Sequence, residues 1–206
     1  MFEGKKRVLF IGAHPDDIEV GAGGTLLRFL PKHDILCCTF SRNVEKKGQE
    51  RLPDEHHKSM RMLGVPKKSV RLFDFRTRYF DAARQEICDL LWQIREEFGP
   101  DIVITHTGAD IHQDHNTIFT EAKRAFRDKT LLGFEVHRSH DNFHPTLFIE
   151  ISREHLARKH AALACYETHK RRNYLQKRAV EALAIARAVQ MERPYVEAFE
   201  IIRVII

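Results

Sequence analysis

No stretch of this 206-residue chain approaches the roughly 20 apolar residues that a membrane-spanning helix needs. Glu3, Lys5, Lys6 and Arg7 precede a short apolar strand, so the long apolar core of a signal peptide is missing too. Cysteine is scarce: the 4 residues, Cys37, Cys38, Cys88 and Cys165, form no C-x-x-C pair and no short secreted framework. These absences lead us to expect a soluble, cytoplasmic protein with reduced thiols. Charge of one sign is also lacking, since 34 Lys and Arg meet 29 Asp and Glu for a net charge of +5. The two signs alternate along most of the chain, so nucleic acid is not an expected partner. The least even stretch, Lys170-Arg171-Arg172 with Lys177 and Arg178, reads first as a solvated helix face that could meet an anionic substrate. No Pro/Gly-rich linker and no internal repeat divide the chain.

What is present is the makeup of one globular domain spanning 1–206, with 43% apolar and 31% charged residues. Short apolar runs read as buried strands at Arg7 to Ile11, His33 to Ser41, Ser69 to Phe75 and Asp101 to His106. Helical periods lie between them at Asp17 to Leu30, Asp54 to Leu63, closed by Gly64, and Phe80 to Phe98, closed by Gly99. A helix over Asp114 to Arg127 is followed by strands at Gly133 to His137 and Thr146 to Ile151. Helices over Glu154 to Tyr166 and Tyr174 to Met191 then lead to a last strand within Val196 to Ile206. Alternating strand and helix predict an α/β fold: a Rossmann-like three-layer sandwich on a mostly parallel central sheet. The final apolar segment from Ile201 suits the core or an edge that pairs with a second copy, so a homo-oligomer stays open. The aperiodic segments Ser41 to Pro53 and Arg138 to Pro145 are expected near the carboxyl ends of the strands, where ligands bind in open α/β sheets.

The segment Ala13-His14-Pro15-Asp16-Asp17 follows the first strand directly, and Asp110-Ile111-His112-Gln113-Asp114-His115 follows the fourth. A parallel sheet brings both to one edge. Two imidazoles and a carboxylate, from His14, His115 and Asp17, make the ligand set of an open catalytic zinc site. Zinc lowers the pKa of its water towards about 7. Asp16, beside two ligands yet not required as one, is the expected general base. His112, three residues before His115, is expected to stabilise the oxyanion and protonate the leaving amine, with Asp114 holding it in charge and tautomer. Ferrous iron suits the same three ligands.

Blander readings accompany these. Asp16 or Asp17 could serve as a helix cap. The glycines of Gly21-Ala22-Gly23-Gly24 are expected to let the first helix pack close to the sheet, and no G-x-G-x-x-G follows the strand, which argues against a dinucleotide. Of the 13 histidines, His56, His57, His155, His160 and His169 are expected on helices as surface or core residues. His106, at a strand end, divides evenly between the site and a hydrogen-bonded residue behind it.

With these motifs the chain resembles the PIG-L (LmbE-like) zinc-dependent deacetylases of N-acetylglucosaminyl compounds. The resemblance extends to Glu19, to Arg51 and Glu55 ahead of Leu63-Gly64, to Pro100-Asp101-Ile102-Val103 and to Tyr195 through Glu200. It implies a metal-dependent hydrolase that removes acetyl from the nitrogen of a GlcNAc-type sugar or conjugate, with the metal-ligand, base and acid assignments above. It also implies a substrate-binding role for Arg51, whose plain alternative is a surface salt bridge. Gln113 replaces a Pro common in relatives, and Thr168-His169 stands where relatives often show Ser-Gln, a departure that bears on the substrate rather than the metal. The alternatives are a zinc amidase for another acyl group or a non-sugar amide, and a binding module that keeps its metal only for stability.

Overall fold

Residues of β1 (Arg7–Gly12) alternate between two apolar layers: Val8 and Phe10 join one, Leu9 and Ile11 the other. A strand buried on both faces needs helices on both, and the computed structural model, which describes residues 2–205, supplies them. One layer collects Leu26 of α1 (Asp17–Phe29), Leu63 of α2 (Leu52–Leu63), Leu156 of α5 (Arg153–Leu163) and Val180 of α6 (Lys177–Ala188). The other collects Leu91 of α3 (Arg84–Phe98) and Ile118 of α4 (Gln113–Ala125). The fold is an α/β three-layer sandwich.

The central sheet has the order β3-β2-β1-β4-β5-β7-β6. Besides β1 it comprises β2 (Asp34–Thr39), β3 (Val70–Leu72), β4 (Ile102–His106) and β5 (Thr130–Phe134), all parallel. β7 (Val196–Arg203) runs antiparallel between β5 and β6 (Leu147–Glu150). The final apolar segment therefore pairs with β5 as far as Arg203, beyond the stretch Val196 to Phe199 that also pairs with β6. The chain steps outward from β1 through β2 to β3 and then returns to β1's other side with β4. This reversal opens a crevice between the carboxyl ends of β1 and β4. β5 begins three residues before its expected start, so Glu135, Val136 and His137 belong to the loop beyond the strand.

The glycines of α1 act through contact. A Cβ on Gly21 would collide with the Phe134 ring, and one on Gly24 would lie 2.8 Å from Ile151 Cδ1. Between them Ala22 leaves helical geometry at φ −145°, interrupting the hydrogen-bond ladder. Two buried side chains fill the break: Lys159 Nζ donates to the Val20 carbonyl at 2.7 Å, and Glu197 accepts the Gly24 and Thr25 N–H groups at 2.9 and 2.6 Å. Lys159 and Glu197 are themselves paired at 2.6 Å.

Candidate metal and catalytic site

The turn from β1 into α1 places His14, Asp16 and Asp17 at the crevice, and the first turn of α4 brings His112, Asp114 and His115 to it. Ala13 N–H donates to His106 Nε2 at 3.0 Å, tying the ends of β1 and β4 together. His14 Nε2 lies 2.8 Å from Asp114 Oδ2, and His115 Nδ1 lies 2.7 Å from Asp110 Oδ2. An ionised carboxylate only accepts, so each ring carries a proton on that nitrogen and turns its other nitrogen to the centre.

These inward nitrogens, His14 Nδ1 and His115 Nε2, are 3.2 Å apart, and they stand 3.5 and 3.4 Å from Asp17 Oδ2. Atoms this close share a proton or hold a cation among them. A tetrahedral zinc with bonds of about 2.0–2.2 Å separates its ligand atoms by about 3.3–3.5 Å, so the triangle has a suitable size. His112 also lies within ligand reach of His14 and His115, and His106 of Asp17 and His115, with donor atoms inside 4.8 Å. His106 Nε2, however, already accepts the Ala13 N–H, and its ring stacks on His115 with centroids 3.9 Å apart. That Nε2 contact turns the His106 ring towards the end of β1.

Electrostatics divide the two imidazoles. Burial opposes charge on His14, but hydrogen bonds to Asp114 and Asp17 prevail and raise its pKa to about 9. Burial and the neighbouring His106 push His115 down to about 4. Burial alone would raise Asp17, yet His115, His106 and His14 hold it well below the usual carboxylate range.

Asp16 is also buried and adopts a left-handed backbone with φ 95°, a strained choice for a side chain at the mouth of a helix. Its Oδ2 meets His169 Nδ1 at 2.7 Å and Tyr174 Oη at 3.1 Å, with Arg172 Nη1 at 3.7 Å. Burial raises its pKa, while His169 pulls it down. His169 was expected as a surface or core residue on a helix. It instead lies in a short 3₁₀ turn, buried against the site, and no periodicity in the sequence marks it.

His112 caps α4: its Nδ1 accepts the Asp114 N–H at 3.2 Å, which leaves Nε2 as the ring's other hydrogen-bonding atom. Burial and the proximity of His14 lower its pKa. Asp114 does not orient His112 as expected. Its carboxylate instead supports His14 and accepts the Arg78 and Phe80 N–H groups at 2.6 and 3.3 Å, because the side chain leaves the helix towards β1. The support for His115 comes from Asp110, a residue to which sequence reasoning gave no role although it lies within the same motif. Arg51 stands exposed at the start of α2, with no ion pair among the described residues. The segment from Arg138 to Pro145 is pinned to this region, since Ile111 N–H donates to the Ser139 carbonyl at 2.6 Å.

The family described as PIG-L, GlcNAc-PI de-N-acetylase, matches residues 9–126, more than half of the chain. The chain belongs to the PIG-L family. Its match includes both His/Asp motifs and ends before His169 and Tyr174. YaiS of Escherichia coli strain K12, described as an uncharacterized deacetylase, is 30% identical over 167 residues, covering 77% of this chain and 89% of that relative. Among solved structures, the N,N'-diacetylchitobiose deacetylase of Pyrococcus horikoshii has a TM-score of 0.75 at 18% identity, covering 96% of this chain and 84% of that one. GalB of Pseudomonas putida KT2440, a 4-carboxy-2-hydroxymuconate hydratase, has a TM-score of 0.78 at 19% identity, covering 98% of each. At such identities the likeness concerns the fold. As one of these neighbours is a hydratase, the reaction of this PIG-L protein has to be argued from its side chains.

Proposed function

We propose that this PIG-L protein hydrolyses the acetamide of an N-acetylated amino sugar of the GlcNAc type, or of its conjugate, releasing acetate and the free amine. The observation that carries this reading is the triangle of His14, His115 and Asp17 lying beside a buried, spare carboxylate, Asp16. Zinc suits the donors best, with ferrous iron the second choice. A divalent cation bound there polarises an amide carbonyl and acidifies water at neutral pH.

The chain's own groups supply the proton movements. Asp16 accepts a proton from the attacking water as its oxygen adds to the carbonyl carbon. His112 presents Nε2 at the N-terminus of α4, where backbone N–H groups and the helix dipole favour developing negative charge. As the C–N bond breaks, the departing amine takes the proton that Asp16 removed from water, while His112, whose Nδ1 accepts the Asp114 N–H, keeps its Nε2 proton and donates it as a hydrogen bond to the oxyanion. Asp114 and Asp110 hold the imidazoles of His14 and His115, and Arg51 offers a guanidinium fork to sugar hydroxyls or an anionic substituent. All four thiols are unpaired, which supports placing this chemistry in the cytoplasm.

A panel of N-acetylated sugars, assayed for acetate and free amine, tests the substrate class. Turnover of at least one sugar is expected. Silence across the panel with turnover of a non-sugar amide would replace the sugar by another acyl substrate. The Asp16→Asn variant should keep its metal and lose about two to four orders of magnitude in turnover. Undiminished activity in that variant would remove Asp16 from the mechanism.

A further inference from the structure

We infer that His169 and Tyr174 are positioning residues for Asp16: their donors occupy Oδ2 and so reserve Oδ1 for the proton that the reaction removes. This inference rests on the deacetylase reading for its catalytic meaning. Its geometric basis is separate. His169 Nδ1 and Tyr174 Oη reach the same carboxylate oxygen at 2.7 and 3.1 Å, and Arg172 approaches it at 3.7 Å. Oδ1 receives no hydrogen bond among the described residues. A carboxylate with one oxygen fully engaged cannot rotate freely, so the other keeps a fixed direction at the moment of proton transfer.

The segment that delivers His169 is anchored on both sides. Tyr166, whose ring stacks on His169 with centroids 6.0 Å apart, donates through its hydroxyl to Glu19 Oε1 at 2.5 Å. His56 Nδ1 meets the same hydroxyl at 2.9 Å. Two residues on, Thr168 donates its hydroxyl to Glu55 at 3.0 Å. Helices α1 and α2 thus both hold the turn through buried polar side chains.

His169 Nε2 is buried and has no hydrogen-bond partner, so the ring's polar contribution passes through Nδ1 alone. One donor at the position of Nδ1 should therefore be sufficient. An Asn side chain can place its amide nitrogen at about that distance from the backbone, whereas Ala offers nothing. No bond to His169 forms or breaks in this scheme. The water proton moves to Asp16 Oδ1, and His169 keeps its own.

The experiment compares His169→Ala, His169→Asn and Tyr174→Phe in the metal-loaded enzyme, each in the native and the Asp16→Asn background. In the native background, His169→Ala should lower kcat about ten- to a hundredfold, the usual worth of a hydrogen bond to a charged group, with KM and metal content unchanged. His169→Asn should recover most of the loss, and Tyr174→Phe should show a smaller one. In the Asp16→Asn background, His169→Ala should cost nothing further, because its effect passes through the missing carboxylate. An equal loss in both backgrounds, a loss confined to KM, or full activity of His169→Ala would overturn the proposal. A second readout needs no turnover: proton NMR of the native protein should show a downfield, slowly exchanging His169 Nδ1–H that shifts in Asp16→Asn. If the signal behaves so while no amide is hydrolysed, the function falls and the contact stands. If amides are hydrolysed and the signal is absent, the positioning role falls alone.

Discussion

Asp110 illustrates how one carboxylate decides what an imidazole can do. Its Oδ2 accepts the His115 Nδ1 proton at 2.7 Å and the Ser139 hydroxyl at 3.0 Å, while Oδ1 accepts the His112 N–H at 2.9 Å. Those bonds fix the tautomer that turns Nε2 towards Asp17 and His14. Replacing Asp110 by Asn removes the charge that makes His115 a better donor and should weaken metal binding about ten- to a hundredfold. Competition against a chelator of known affinity measures the change, and an unaltered affinity would show that His115 orients itself. Sequence reasoning assembled the ligand-type residues from strand-end motifs. It could not say which acid backs which ring. Asp110, Asp114 and Asp16 all lie within a few residues of a histidine, and the partner of each is chosen by side-chain direction across the crevice, which spacing does not encode.

At the scale of the element, α1 carries both a site carboxylate and a break in its hydrogen-bond ladder. The helix starts at Asp17, and its first turn must hold that carboxylate against two imidazoles while the next turn packs against Phe134 at glycine contact distance. The interruption at Ala22 frees the Val20 carbonyl and the Gly24 N–H, which would otherwise bond each other, and Lys159 and Glu197 take them up. Burying this pair is tolerable because every charge has a partner. Glu197→Ala would leave Lys159 4% exposed and unpaired, with two helix N–H groups also stranded. We expect it to cost about 3–5 kcal/mol of stability in urea unfolding. A cost below about 1 kcal/mol, the level of an exposed pair, would mean that water replaces the carboxylate. The glycine run signalled close packing of α1, and the structure has it. The break itself was not legible, because the groups that satisfy its backbone, Lys159 and Glu197, reach α1 from far along the chain. The late start expected for β5 has a comparable origin: Glu135, Val136 and His137 look strand-like, yet Glu135 is held by Arg187 of α6 at 2.8 Å beyond the strand's end.

Across the whole molecule, the candidate metal site joins segments that the chain holds far apart. The PIG-L match over residues 9–126 begins within β1, runs through β4 and includes both motifs, whereas His169 and Tyr174 approach Asp16 from beyond it. A cation held by His14, Asp17 and His115 therefore ties β1, α1 and α4 in the native state only, and should stabilise folding by mass action. With free zinc at about a hundred times its dissociation constant, the gain is about 2.7 kcal/mol. For a domain of this size that corresponds to a rise of about 5–10 °C in the midpoint of thermal unfolding. Removing the metal with a chelator should lower the midpoint by the same amount, and adding zinc back should restore it. His115→Ala should abolish the response while leaving the secondary structure intact, because its side chain contributes a donor to the triangle rather than an apolar contact to either layer. A midpoint that ignores both chelator and zinc in the native protein, but not the addition of acetylated sugar, would indicate that these three side chains hold a proton instead of a metal. The site would then have to hydrolyse its substrate without the cation that its geometry accommodates.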